Sequence, residues 1–381
     1  MSEERRGEAR AGFRLDPEQR LAWLRLIRSE NVGPVTFRAL INRYGSASRA
    51  LEELPELARK GGARGAVRIP TRQEAEREMA VAEGLGARFV AMGEPGYPAH
   101  LRALEGPPPL IAVRGGEGVF LRPMVAVVGA RNASIAGRKM AGWIAREAGQ
   151  AGYVVVSGLA RGIDAAAHEA ALDAGTIAVL AGGLDKLYPP ENAGLHDRII
   201  DTGGAVISEM PFGWDARARD FPRRNRIVSG LSLAVVLVEA AARSGSLHTA
   251  RFALEQGREV LAVPGSPLDP RSEGANRLIR DGATLICHPN DVIEALAALV
   301  GREPPTMEAG EPERGAGGLE IEPGDNERLQ VIEALGPTPV AIDEIVRATG
   351  VSAAALQLML LELELAGRLE RHRGGKVSLV M

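Results

Sequence analysis

Nine short apolar runs punctuate residues 87–300: ARFVAM, PLIAVRG, MVAVVGA, GYVVVSG, TIAVLAGG, AVISEM, LAVVLVEA, EVLAVPG and ATLIC. From Met124 onward the runs are continuous Val, Ile, Ala and Leu rather than alternating apolar and polar. A strand wetted on one face alternates, whereas one covered on both faces by crossover helices does not. The intervening segments, such as SIAGRKMAGWIAREAGQA and GIDAAAHEAALDA, have the length and composition of helices. Repeated β-α units of this kind predict an α/β domain, a Rossmann-like, doubly wound, mostly parallel sheet over 87–300. In that architecture ligands collect at the carboxyl ends of the strands.

At 381 residues the chain has room for more than this domain. Residues 1–80 read as an N-terminal helical domain and linker. In DPEQRLAWLRLIRSE, Asp16 is placed to cap, Pro17 suits a first turn, and Leu21, Leu24 and Ile27 fall near helical spacing. Gly33-Pro34 then breaks the chain before a second amphipathic helix ending near Gly45. Such a glycine-bearing turn is SAM-like or helix-hairpin-helix-like, and its amides can meet a phosphate. The turn carries no Lys or Arg, so a plain packing module fits equally well. Residues 301–323 are rich in Gly, Pro and Glu, the composition of a flexible linker. Residues 324–381 read as three helices and a hairpin with Gly374-Gly375 at its tip, a winged-helix domain. Its third helix, 352–366, has no Lys or Arg and two glutamates, Glu362 and Glu364. Duplex reading by that helix and a protein-contact role both stay open.

Charge gives no global direction, because 46 basic residues face 49 acidic ones for a net charge of −3. Any nucleic-acid affinity must come from local patches. FPRRNRIVSG (221–230) is one, with Arg223, Arg224 and Arg226 around Asn225 in what reads as a loop. The single cysteine, Cys287, excludes an internal disulfide and reads as a small buried residue at a strand end. The six histidines show no metal-ligand spacing, so no metal is expected. Neither a GxxxxGK[ST] loop nor a GxGxxG after a strand occurs, so no nucleotide cofactor is expected. No apolar run approaches the ~18 residues of a membrane span, and the first residues lack the apolar core of a signal peptide. A cytoplasmic protein without membrane contact is the expectation.

The strand ends carry the chemistry. After MVAVVG come Arg131, Asn132 and Ser134; after GYVVV come Ser157, Gly158, Arg161 and, in the next helix, Asp164. After TIAVLAGG come Asp185 and Lys186; after LAVVLVEA come Arg243, Ser244, Gly245, Ser246 and Thr249. Glycine at a strand-to-helix turn exposes amides, the helix N-terminus adds partial positive charge, and hydroxyls complete an anion site. Several such turns side by side predict an extended anionic ligand. Glu209 and Glu239 end neighbouring strands without a nucleophile or metal cluster nearby, and orienting arginines is the expected task. Asp164 and His168, four apart on one helix, read as a helix-side contact.

GARNAS, SGLARGIDAAAHEAAL, TIAVLAGGLDKLYPPEN, FPRRNRIVSGLS, VVLVEAAARSGSLHTARFALEQGREVLAVPG and GANRLIRDGA, in this order, resemble the DprA/Smf family of DNA-processing proteins. The resemblance covers about 90–295, and the terminal modules are similar to accessory domains of some members. It implies a non-catalytic protein, without cofactor, that binds and protects single-stranded DNA, helps load a RecA-type recombinase in natural transformation, and forms a homodimer through the Rossmann-like domain. Carried over by motif, the DNA contacts are Arg131, Ser157, Gly158, Arg161, Lys186, Arg224, Asn225, Arg226, Ser246 and Thr249. Where the first block often has an aromatic Tyr-Gly, this chain has Ile135-Ala136-Gly137. Phe212, Phe221, Trp214 and Tyr188 are the aromatics near strand ends that suit base stacking. Within the α/β group, the alternative is a nucleotide-binding enzyme of the phosphoribohydrolase (lysine-decarboxylase-like) type. Its PGGxGTxxE pattern is replaced here by GGLDK and SGSLHTA.

Overall fold

The computed structural model describes residues 13–301, 323–372 and 374–380, which separate into two compact units. The expected linker at 301–323 falls almost wholly outside the described residues.

The chain begins with α1 (Pro17–Arg28), α2 (Pro34–Tyr44) and α3 (Ala47–Lys60). Asp16 caps α1 reciprocally with Gln19, Pro17 fills the first position, and Gly45 closes α2 at φ 74°. These are the start and stop signals visible in the sequence. A polar helix, α4 (Arg72–Gly84), follows.

The larger unit is built on nine strands. They are β1 (Ala87–Ala91), β2 (Leu110–Gly115), β3 (Met124–Gly129), β4 (Val154–Ser157) and β5 (Thr176–Val179), then β6 (Ala205–Ser208), β7 (Ala234–Val238), β8 (Glu259–Ala262) and β9 (Thr284–Leu285). Their order is β1-β2-β6-β5-β4-β3-β7-β8-β9. All pairings among β3 to β9 are parallel, while β2 is antiparallel to both β1 and β6. The helices are α5 (Ala99–Arg102), α6 (Ile135–Gln150), α7 (Ile163–Ala171), α8 (Ala193–Asp201), α9 (Asp220–Leu231), α10 (Ser246–Glu255), α11 (Glu273–Arg280) and α12 (Pro289–Ala297).

The continuous apolar runs are buried on both faces because alternate residues enter two cores. Val125, Val127, Val155, Val236 and Val238 pack with Ile144, Ala148, Ala167 and Leu296 of α6, α7 and α12. Ala126, Val128, Val156, Val235 and Leu237 pack with Ile227, Leu231 and Ala250 of α9 and α10. Strand order reverses between β3 and β7, which makes the crevice above these two the topological switch point.

The arginine-rich segment differs from expectation: it is helical, within α9. Pro222 sits in the first turn, where a missing N–H costs nothing, and the buried Asp220 complements the helix dipole. The apolar residues that anchor α9 (Ile227, Val228, Leu231) all follow the arginines. No periodicity therefore marked its first half.

The second unit joins an N-terminal segment to a C-terminal one. Residues 15–76 and the described residues from 323 onward form one body, although they read as separate domains. The C-terminal part contains α13 (Asp325–Ala334), β10 (Val340–Ala341), α14 (Ile342–Thr349), α15 (Ala353–Leu365), β11 (Leu369–His372) and β12 (Lys376–Leu379). Its sheet runs β10-β12-β11, as a winged helix requires. α15 is apolar almost all round, and a helix of that kind is covered on every side. Leu356, Met359, Leu360 and Leu363 fill the winged-helix core with Val331, Ile345 and Val377. Leu358, Leu361 and Leu365 are buried as well, and α15 packs on α3. Asn31 Nδ2 donates to Leu365 O at 3.0 Å, and an Arg368 guanidinium nitrogen donates to Gly61 O at 3.1 Å. Glu362 is buried against Arg328, and Glu364 pairs with Arg371 at 3.0 Å. The helix positioned to read a groove spends its faces on packing. Cys287 is exposed, contrary to the buried position expected. Among the described residues, no single helix is long and apolar enough to cross a membrane.

Candidate nucleic-acid interface

The turns after β3, β4, β5 and β7, with the first half of α9, are tied into one surface by short contacts. Ile163 N donates to Ala130 O at 3.2 Å, joining the β3 and β4 turns. Asn192 Nδ2 donates to Leu159 O at 2.9 Å, joining the β4 turn to the segment after β5. Asn225 Nδ2 reaches Gly245 O at 3.2 Å, joining α9 to the β7 turn.

An aromatic and cationic cluster lies on this surface. The Arg131 guanidinium stands 4.9 Å from the centre of the Phe221 ring, and Tyr188 meets the same ring edge-on at 5.6 Å. Tyr188 is 48% exposed. Lys186, Arg219 and Arg243 are exposed, and their side chains make no ion pair among the described residues. Arg161 is exposed 3.8 Å from Glu191, itself exposed. Arg217 stacks 4.5 Å from the Trp214 ring, whose Nε1 donates to Asp220 at 2.9 Å. Arg217 and Arg219 escaped the sequence reading; the RARD that holds them directly precedes FPRR.

Of the remaining residues named from the sequence, Ser246, Asn225 and Arg226 are half-buried and Ser157, Gly158, Arg224 and Thr249 are buried. Ser157 is buried and donates to Val127 O at 2.7 Å; Thr249 is buried, and Ser246 meets Ser244 Oγ at 2.7 Å. Arg224 is buried too. Its Nη1 donates to Gly158 O at 2.6 Å and also to Val179 O, and Nε reaches Asn225 Oδ1 at 3.2 Å. Burial lowers its pKa to about 10, partly offset by the Asp164 carboxylate, so the guanidinium stays charged at neutral pH. Arg226 is mostly covered, bonded to Glu209 and to Gly106 O at 2.9 Å. Arg223 is the outermost of the three, holding the other Glu209 oxygen at 3.0 Å. Glu209 is thus a buried carboxylate clamped by two arginines. The cluster points inward more than outward.

The turn amides, expected as phosphate nests, are largely taken. Asp164 accepts from Gly158 N at 3.1 Å and Ala160 N at 3.4 Å, and burial pushes its carboxyl up against the pull of Arg224. Glu239 accepts from Ser134 N at 2.9 Å and from Ser134 Oγ, bridging the switch point between β7 and β3. A Cβ on Gly137 would meet the Glu239 carboxylate at 2.5 Å, which explains a glycine in this first turn. Leu159 and Glu239 hold φ of 52° and 54°, a conformation non-glycine residues adopt at a cost. These internal carboxylates occupy positions where an external anion was expected. The exposed side-chain cations and rings remain for a ligand. Asp164 and His168 turn to different partners: His168 Nδ1 meets Thr176 Oγ1 at 2.7 Å, and burial lowers the histidine pKa to about 3. No group of three or more His, Cys, Asp or Glu among the described residues suits a metal.

The profile of the family described as DNA recombination-mediator protein A matches residues 88–297, the whole nine-stranded unit apart from its margins. The chain belongs to the DprA family. Two further profiles match its ends: a DprA-like N-terminal HHH domain at 17–81 and a DprA winged helix domain at 318–375. Protein Smf of Escherichia coli is 38% identical over 287 residues, covering 74% of this chain and 75% of its own length. The DNA processing protein DprA of Bacillus subtilis is 39% identical over 214 residues, covering 55% of this chain and 72% of its own. The X-ray structure of Streptococcus pneumoniae DprA superposes with TM-score 0.59 at 32% identity, covering 74% of this chain and 98% of that one. The Helicobacter pylori DprA structure, described for its single-stranded DNA binding mode, gives TM-score 0.51 at 29% identity, covering 55% and 96%. Membership in DprA therefore rests on the match over the nine-stranded unit and on both terminal modules.

Proposed function

We propose that this DprA-family chain binds single-stranded DNA across the strand-end surface, without catalysis, and delivers it to a RecA-type recombinase. The observation that carries this is the Arg131–Phe221–Tyr188 cluster, together with the exposed cations Lys186, Arg219 and Arg243, which make no ion pair among the described residues. Single-strand binders combine a cationic track with rings on which bases stack, and tolerate any sequence. Phosphates are met here by exposed side chains, which position a strand without reading it. The single-strand binding described for the Helicobacter pylori relative supports the ligand, and the recombination-mediator description of the family supports the recombinase. Arg131, Arg161, Lys186 and Ser246 are the direct contacts in this proposal. Ser157, Gly158, Arg224, Asn225, Arg226 and Thr249 shape the surface from beneath. A homodimer through the nine-stranded unit would double the track.

The test compares the affinity of the full chain for single-stranded and duplex DNA of one length across salt concentrations, with and without a recombinase. Preference for the single strand, falling with salt, is expected. Equal affinity for duplex, or none for either, overturns the proposal. A recombinase whose filament assembly on the coated strand is not accelerated overturns the delivery step alone.

A further inference from the structure

α6 starts at the site, four residues beyond Arg131, and runs back over the sheet. Its buried side, Ala141, Ile144, Ala145 and Ala148, belongs to one of the two cores. On the opposite side Ile135, Lys139, Trp143 and Arg146 recur at steps of four, four and three. That spacing aligns them along one line of a helix. All four are exposed, Ile135 by 67% and Trp143 by 40%, and Arg138 is exposed beside them. The acid of this helix, Glu147, lies off the line and is half-buried.

Other exposed arginines on the helices of this unit are neutralised. Arg198 pairs with Glu169 at 2.6 Å, Arg251 with Glu255 at 3.7 Å and Arg277 with Asp281 at 3.7 Å. Two of these are the i,i+4 pairs that a solvated helix face ordinarily carries. The side chains of Arg138, Lys139 and Arg146 have no such partner among the described residues. Trp143 is moreover held in place, its ring meeting His288 edge-on at 4.5 Å. A fixed, exposed indole between unpaired cations suits alternating phosphates and bases. Lys139 and Arg146 are separated by a rise of about 10 Å, close to three stacked nucleotides at ~3.4 Å each.

We infer that the outer face of α6 is a second tract for single-stranded DNA, continuing the strand from Arg131 along Lys139, Trp143 and Arg146. The inference rests on the proposed single-strand function. Continuity with Arg131 and the uncompensated positive charge favour a nucleic acid over a second copy of the chain.

Labelled oligo-dT of ~6 and ~20 nucleotides, within and beyond one typical site, is titrated into the full chain by anisotropy at several salt concentrations. The doubly substituted Lys139→Ala/Arg146→Ala chain should bind the short oligomer within twofold of wild type and the long one at least tenfold more weakly. Its salt slope for the long oligomer should flatten by about 1.4, two contacts at ~0.7 each. Trp143→Ala should weaken only the long oligomer, at least fivefold with the slope unchanged, and Trp143→Phe should restore most of the loss. Variants equal to wild type at both lengths overturn the tract while leaving the first site standing. The tract is likewise overturned if the double substitution halves the sedimenting mass with affinity unchanged, because the face is then a contact between copies. A wild-type chain that binds neither length overturns the single-strand function itself.

Discussion

Arg224 donates to the carbonyl oxygen of Gly158 at 2.6 Å, so the arginine cluster of α9 is nailed to the end of β4. The same guanidinium also holds Val179 O at the end of β5, beside the buried Asp164 that gathers the Gly158 and Ala160 amides. Three segments of the site converge on one buried cation.

Arg224→Ala should therefore act on the fold before it acts on DNA. Its loss leaves Gly158 O and Val179 O without their buried donor and the Asp164 carboxylate without its nearby cation, at a cost of about 1–3 kcal/mol per unsatisfied group. A fall in chemical-denaturation midpoint of that size is expected. Arg224→Lys should rescue only in part, because one ammonium can meet the two carbonyls that Nη1 serves but not the Asn225 contact that Nε makes. An unchanged midpoint for the alanine variant would contradict the staple.

Arg131→Ala and Lys186→Ala should do the opposite, leaving the unfolding midpoint within experimental scatter. Each should flatten the salt dependence of single-strand affinity by about 0.7. A variant that loses affinity at an unaltered slope would show that its cation does not meet a phosphate.

Phe221→Ala should lower single-strand affinity by about 1–3 kcal/mol through lost stacking, with the salt slope retained. Phe221→Tyr keeps the ring under Arg131 and should bind like wild type. Affinity of the alanine variant equal to wild type would remove the ring from the interface.

These contrasts also mark what the sequence made legible. Continuous runs such as LAVVLVEA announce doubly covered strands because burial on both faces is a local property of composition. Strand-end turns follow from the glycines, so the location of the candidate surface was visible. The direction in which each arginine points was not. Arg224 and Arg223 are neighbours in the chain, yet one is buried and the other exposed, since side-chain direction on α9 is set by what packs around it. Likewise Asp164 and Glu239 look like first-turn and strand-end acids, and only the fold shows that they consume amides expected to meet phosphate. α15 did carry a usable signal: LQLMLLELEL has leucines around its whole circumference, which argues for a covered helix rather than a groove reader.

Acid should destabilise the larger unit through His168. Its pKa is about 3 when folded, against 6.5 for the free side chain, because burial excludes the charged form and Arg224 repels it. A base whose folded pKa is depressed is protonated first in the unfolded chain, so stability is complete above pH 6.5 and falls as pH drops toward 3. The loss at pH 5 is about 2 kcal/mol, at ~1.4 kcal/mol per unit. Asp164, its pKa raised by burial, works in the opposite sense, regaining stability as pH falls through that raised value toward 3.8. His168→Gln should flatten the decline between pH 6.5 and 5 in denaturant titrations. A wild-type profile flat across that range would show that the imidazole titrates freely.

Gly61 tests the union of the N-terminal and C-terminal segments. Its φ of −71° is open to any residue, so space alone demands glycine there. A Cβ would lie 1.9 Å from Glu362 O, a backbone atom of α15 that cannot swing aside. Gly61→Ala should force α3 away from α15, loosening the Asn31 and Arg368 contacts at that end, and destabilise the unit by about 1–3 kcal/mol. The larger unit contributes none of these atoms, so single-strand affinity at the strand-end surface should hold. Two unfolding transitions are then expected in the melt, with only the one belonging to residues 15–76 and the C-terminal helices displaced. Hydrogen exchange read over 353–365 assigns the shift, since amides of α15 lose protection when its cover is lifted. Undiminished protection there would mean that α15 keeps its apolar faces covered without the close approach at Gly61.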